Sequence, residues 1–247
     1  MARRAKLGLA LGAGAARGWA HVGVVERLME VGITPDVVAG CSSGAFIGAY
    51  VAADRLDAVA RIGRDMSWLK TLRMLDWQPM HGGLIQGGQV GDVLANSLGD
   101  VAIEDLAKPF GVSTTELATG RERWLMRGPL APAVRASMAV PGFMAPQRVD
   151  GRRLMDGALT NPVPVSVAKA LGAEVVIAVA LGGELSLNLA PDTEAPPRGR
   201  VAAEHLAQAM GLHGTFPEDA EDNDPSVFAV VSRAMIIVQN FVTRIRL

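Results

Sequence analysis

The 247-residue chain predicts an α/β fold of three layers, with helices on both faces of a mainly parallel central sheet. Three observations predict it. Short apolar runs alternate with helical patterns along most of the chain, the pattern of a doubly wound sheet. Two of those runs end in glycine-rich turns that lead into helical stretches, at Gly12–Gly18 and at Gly40–Gly44. A β-branched run from Glu174 to Ala180 reads as a buried parallel strand.

Composition narrows the function. Nearly half the residues are apolar and 28 are glycine, which suits closely packed helices and sheet. The length fits one α/β domain, so 1–247 is expected to be a single unit, with a flexible loop region at 182–226. A net charge of −1 gives no reason to expect a nucleic-acid partner. One cysteine cannot make an internal disulfide, and no metal-ligand spacing occurs. A reducing compartment, the cytoplasm, is expected. The start, Met1-Ala-Arg-Arg-Ala-Lys6 followed by an apolar stretch, resembles a signal peptide. A first buried strand is the preferred reading, because the loop after it looks functional. No run reaches the roughly 18 apolar residues of a membrane span.

Strand one is Leu7–Leu11. The loop Gly12-Ala13-Gly14-Ala15-Ala16-Arg17-Gly18 follows, then a helical stretch to about Glu30. Such a loop offers free backbone N–H groups, to a pyrophosphate or to an oxyanion. The dinucleotide pattern G-x-G-x-x-G fails by one residue, since Arg17 stands sixth from Gly12, although Asp36 lies near the distance of a ribose-binding acid. Thr34 to Ala39 reads as strand two. It ends in Gly40-Cys41-Ser42-Ser43-Gly44, a G-x-S-x-G turn. A serine there is pushed out of the surface, and glycines two residues away remove the collisions of a tight turn. Ser42 is the candidate nucleophile. Cys41 and Ser43 are rivals without symmetric glycines. His21 is a candidate base that more often packs locally.

Helices are expected from Ser43 to about Ala53, over Leu56 to Met66, and from Gln89 to Leu98. Between them, Trp68 to Gly88 is irregular, and its Met, Trp and Leu side chains suggest core packing under a loop or, as the alternative, an apolar cap or mobile lid. Strands follow at Phe110–Ala118 and Arg123–Arg127, turning at Gly120. A helix from Leu130 to Ala139 stops before Pro141, and Pro141-Gly142-Phe143 is a turn. Asp150-Gly151 between two short strands is a hairpin signal. The hairpin delivers Asp156-Gly157-Ala158, an aspartate at a strand end that a cleft can expose. Asn161-Pro-Val-Pro164 opens a helix from Val165 to Leu171. Later helices are expected at Val201–Gly211 and from Ser226 to about Ile245, the last of them amphipathic.

A glycine loop with Arg17, the Ser42 turn and the D-G-A at Asp156 occur in that order. Together they resemble the patatin-like phospholipases, in particular the small bacterial members, over Lys6 to Ala180. Arg135-Ala-Ser-Met-Ala-Val-Pro-Gly142 and Leu154-Met-Asp-Gly-Ala-Leu-Thr-Asn-Pro-Val163 look like that family too. The resemblance implies a patatin-like fold and a serine acyl hydrolase of phospholipase A, lysophospholipase or carboxylesterase type. It implies a Ser42–Asp156 dyad, an acyl-Ser42 intermediate and no metal or cofactor. Gly14, Ala15, Ala16 and Arg17 would form the oxyanion hole, each donor supplying about 3 kcal/mol. Gly12, Gly18, Gly40, Ser43, Gly44 and Gly157 would support the motifs. Burial must raise the aspartate above its reference pKa of about 4. Partners implied are a lipid or acyl ester, transient contact at a membrane surface and a homo-oligomer.

Two departures follow. The family loop is G-G-G-x-[R/K]-G, and here Ala13 and Ala15 replace two glycines; an alanine amide still donates if its backbone needs no positive φ. The family usually carries more chain after the last helix, so a truncated chain or a lineage without the tail is expected. Two other readings stay open: a catalytically weakened member that binds lipid or protein, and a Ser–His–Asp hydrolase using His205 or His213.

Overall fold

The structure is a computed structural model, and it describes residues 4–65, 83–85, 87–181 and 242. Most of the expected lid (66–82 and 86), the 182–226 loop, nearly all of both late helices and His205 and His213 lie outside the described residues.

Nine strands and six α-helices are described. The strands are β1 Leu7–Leu11, β2 Val37–Gly40, β3 Gly83–Ile85, β4 Phe110–Glu116, β5 Glu122–Leu125, β6 Gly142–Met144, β7 Gln147–Val149, β8 Arg152–Asp156 and β9 Val175–Val179. The helices are α1 Ala20–Glu30, α2 Ser43–Ala52, α3 Leu56–Asp65, α4 Gly88–Leu98, α5 Leu130–Ser137 and α6 Val165–Ala170. Strand β2 starts later than Thr34. Pro35 has no N–H to give a ladder, and Asp36 joins β1 instead, its carboxylate accepting the Leu7 N–H at 2.7 Å.

The main sheet runs β7-β8-β4-β2-β1-β9, with β5 also on β4. Parallel pairing joins β9, β1, β2 and β4. The other flank is antiparallel, because hairpins build it. One hairpin turns at Asp150-Gly151, with φ of 46° and 75°, the positive pair that two-residue hairpins favour. Pro141 lies in a turn as expected, but Gly142 and Phe143, expected in the same turn, begin β6. It pairs in parallel with β3 in a second, two-stranded sheet.

Strand alternation builds the layers. Leu9, Leu11 and Val38 face the larger core with α2, whereas Val37 and Ala39 face Val167 and Ala168 of α6. Side chains two apart share a sheet face, so one short strand serves both layers. Helix α2 is buried from Gly44 to Ala52, as expected of a helix apolar on all sides. Strand β9 was expected to be buried. It is an edge of the described sheet, pairs among the described residues with β1 alone, and leaves Val175 52% exposed.

Candidate active site

Strand β4 positions the site. Strand β2 pairs with it along Phe110–Val112, and β8 pairs along Thr114–Glu116. Strand β5 overlaps both stretches, from Val112 to Thr115, and so takes the opposite edge of β4. Strands β2 and β8 therefore share one edge, run in opposite senses, and meet at Ser113. Ser42 leaves the end of β2 at that point, and Asp156 closes β8 there. The two residues come from distant sequence and arrive side by side.

The turn at Ser42 is strained and firmly held. Ser42 has φ 55° and ψ −123°, a conformation that costs a non-glycine residue about 1–3 kcal/mol. A Cβ on Gly44 would lie 2.1 Å from the Leu11 carbonyl oxygen, and one on Gly40 would lie 2.4 Å from Ala45 Cα. Backbone occupies the space, so only glycine fits. Gly18 is pressed in the same way against Ser43 Cβ, which sets the glycine loop against the start of α2.

Ser42 Oγ donates to Asp156 Oδ2 at 2.7 Å. Ser42 is 7% exposed and Asp156 is fully buried. The carboxylate's other oxygen, Oδ1, accepts the Ala158 N–H at 2.8 Å and faces the Cys41 thiol at 3.9 Å. Its backbone is fixed as well: the Asp156 N–H goes to the Ala139 carbonyl at 2.9 Å, and Thr115 Oγ1 donates to the Asp156 carbonyl at 2.9 Å. Burial pushes the Asp156 pKa up to about 6, and the Ala158 amide, the Ser42 hydroxyl and the Cys41 thiol pull the other way. A carboxylate so placed can accept a hydroxyl proton near neutral pH.

The rivals are placed differently. Burial, then the Asp156 charge, push the Cys41 thiol well above its ordinary pKa, which leaves it protonated and unreactive. Ser43 Oγ is buried with no partner among the described residues. His21 is buried on α1, with Nε2 2.8 Å from the Gly12 carbonyl and Nδ1 without a partner among the described residues. Burial lowers its pKa. The ring serves the base of the glycine loop and makes no hydrogen bond to Ser42. Asp36 stands before β2, at the opposite end of the sheet from the loop after β1, where it cannot complete a dinucleotide site.

The glycine loop is pinned at its base. Gly12 N–H donates to Val179 and Ala13 N–H donates to Pro162. Residues Ala15–Trp19 then form a 3-10 turn. The expectation for Arg17 needs correction. Its amide is engaged by the Gly14 carbonyl at 3.0 Å, as the turn geometry requires, so it is no free oxyanion donor. The Gly14, Ala15 and Ala16 amides precede that bond and are not used by the turn. Ala15 has φ 47°, so the backbone does need a positive φ where glycine is absent. Among the described residues, no group of three or more His, Cys, Asp or Glu is placed to hold a metal ion.

A patatin-like phospholipase family model matches residues 9–169, which takes in the glycine loop, Ser42 and Asp156. The chain belongs to the patatin-like phospholipase family. An uncharacterized NTE family protein of Mycobacterium tuberculosis is 39% identical over 201 residues, covering 81% of this chain and 54% of that protein. Patatin-like phospholipase domain-containing protein 7 of Rattus norvegicus is 39% identical over 184 residues, covering 71% of this chain and 14% of that protein. The chain thus spans about half the length of the mycobacterial relative and a much smaller share of the rat one. The crystal structure of VipD from Legionella pneumophila is similar over 63% of this chain and 46% of that one, at a TM-score of 0.43 and 16% identity.

Two features of this patatin-like site were not expected from the sequence. Ser137, buried at the end of α5, accepts the Ser42 N–H at 2.9 Å and donates to the Ser113 carbonyl at 2.7 Å. The signal was its place in the family-like run Arg135–Gly142, which did not by itself give Ser137 a role. Gly157 was expected only as a motif residue. A Cβ there would lie 2.2 Å from the Ser113 carbonyl oxygen, and the missing side chain lets the Asp156 turn close onto β4.

Proposed function

We propose that this protein hydrolyses lipid acyl esters through a Ser42–Asp156 dyad. The observation that carries the reading is the 2.7 Å hydrogen bond from Ser42 Oγ to a buried Asp156 carboxylate, on a strained strand-to-helix turn. Ser42 Oγ attacks the ester carbonyl carbon while Asp156 takes the hydroxyl proton. The carbonyl oxygen becomes an oxyanion, for which the Gly14, Ala15 and Ala16 amides are the candidate donors. Collapse breaks the bond to the alcohol, which leaves with the proton from Asp156. Water, deprotonated by Asp156, then attacks the acyl-Ser42 ester; the acyl–Oγ bond breaks, the proton on Asp156 returns to Ser42 Oγ, and the fatty acid is released. The substrate class is a phospholipid, lysophospholipid or simple carboxylic ester, met as a monomer, as a micelle or by transient contact at a membrane surface. Among the described residues, no helix is long and apolar enough to cross a membrane.

A second reading has one observation in its favour. Ala15 holds a positive φ in the loop that must present the donors. A weakened loop would leave a protein that binds lipid or a partner without turning it over.

A fluorophosphonate probe tests both. The hydrolase reading expects one adduct on the intact protein, mapped to Ser42 and lost in Ser42→Ala. Absence of an adduct from folded protein would select the binding reading. Labelling that needs His205 or His213 would select a triad instead.

A further inference from the structure

Along the β4 edge shared by β2 and β8, one residue marks the junction. Val112 pairs with Gly40 and Thr114 pairs with Asp156. Ser113 lies between them, where the two partner strands meet, and it is fully buried. The Ser137 hydroxyl donates to the Ser113 carbonyl at 2.7 Å and accepts the Ser42 N–H at 2.9 Å with the same oxygen. Ser137 is itself fully buried.

We propose that Ser137 is the positioning residue of the Ser42 turn, holding the nucleophile's backbone against β4 at the point where β8 delivers Asp156. The inference rests on the dyad reading. Ser42 has φ 55°, and its N–H donates to the Ser137 hydroxyl. The Ser137 oxygen receives that N–H and fixes the peptide plane before Ser42. The plane orients the Cα–Cβ bond, and with it the Oγ that must lie 2.7 Å from Asp156 Oδ2. Helix α5 brings Ser137 in through its last turn, and the next residues keep the register, since the Ala139 carbonyl accepts the Asp156 N–H. One short segment therefore holds the backbones of both members of the pair. Ser137 bonds neither Ser42 Oγ nor a carboxylate oxygen of Asp156, so its effect on chemistry is through geometry.

The test compares wild type with Ser137→Ala and with the near-isosteric Ser137→Cys, which fills the same space with a weak acceptor. Two readouts are taken: hydrogen exchange at the Ser42 amide, and the saturation kinetics of fluorophosphonate labelling against pH. Both variants are expected to exchange Ser42 N–H faster. The limiting labelling rate should fall roughly 10- to 100-fold, the scale of a misplacement of about 1 Å. The probe's half-saturation concentration and the midpoint of the pH profile should not move, because Asp156 keeps its own contacts. An unchanged Ser42 exchange rate overturns the proposal. So does faster exchange with an unchanged labelling rate, or a loss expressed only in half-saturation. If wild type is never labelled while Ser42 exchange still accelerates in both variants, the hydrolase reading falls and the hold of Ser137 on the turn stands.

Discussion

The turn after β1 and the turn after β2 each hold a non-glycine residue at positive φ, Ala15 at 47° and Ser42 at 55°. They leave neighbouring strands at the same end of the sheet, yet their surroundings differ. Ser42 is buried, its amide and its hydroxyl are both bonded, and backbone presses on the glycines at each side. Ala15 is exposed, and its methyl group does no chemistry. The comparison separates two kinds of strain. At Ser42 the unusual backbone is inseparable from the side chain it presents. At Ala15 a glycine would follow the same path at lower cost.

The largest expected effect breaks the chemistry of the second turn. Asp156→Asn should slow fluorophosphonate labelling about 10³- to 10⁴-fold, the scale of losing one member of a unit that acts together. Stopped labelling with intact-mass detection would measure it, and an unaffected rate would remove Asp156 as the base. Next comes the packing of the same turn. Gly44→Ala drives a Cβ into the Leu11 carbonyl, so a loss of about 3 kcal/mol is expected in urea titration. A neutral result would mean that the turn yields more easily than its contacts imply.

The pH dependence sharpens the contrast further. With the Asp156 pKa at about 6, the labelling rate should rise with pH through that value and level off above it. Stability should move the other way. The folded protein holds more protons than the unfolded chain between about pH 4 and pH 6, so stability falls as pH rises through that window. Asp156→Asn should therefore melt several degrees above wild type at pH 8, with the gap narrowing toward pH 4. Glu116 has the opposite sign. Arg152, Thr119 and Arg123 hold its pKa down at about 2, so its contribution is complete above its ordinary value and is lost as pH falls toward 2.

The smallest effect belongs to the first turn. Ala15→Gly should raise stability by about 1 kcal/mol, because it relieves a left-handed alanine. Calorimetry would show a melting temperature higher by about 2–4 °C. If labelling also accelerates, the alanine restrains the oxyanion loop. If stability falls, unfolded-chain entropy outweighs the strain.

Much of the site was legible one residue at a time. G-x-S-x-G marked Ser42 because a tight turn excludes side chains beside it, and Gly40 and Gly44 meet backbone as that reading requires. Asp150-Gly151 marked the hairpin that aims Asp156, because paired positive φ angles need those residue types. The Arg17 amide was misread because a loop read as sequence does not reveal which of its N–H groups its own turn consumes. The burial of β9 was misread because a β-branched run fits an edge strand as well as a central one.

What the sequence determined by itself was local: the strand-to-helix order, the obligatory glycines, the hairpin, and the residue types at the candidate site. These follow from φ/ψ sterics and side-chain periodicity, which act within a few residues. What only the tertiary structure decided was juxtaposition. Ser42, Ser113, Ser137 and Asp156 are spread over more than a hundred residues, and their meeting depends on β2 and β8 sharing one edge of β4. The raised Asp156 pKa is decided in the same way, since it comes from burial by elements remote in sequence. Hydrogen bonds and desolvation act over a few ångströms of space, whatever the distance along the chain.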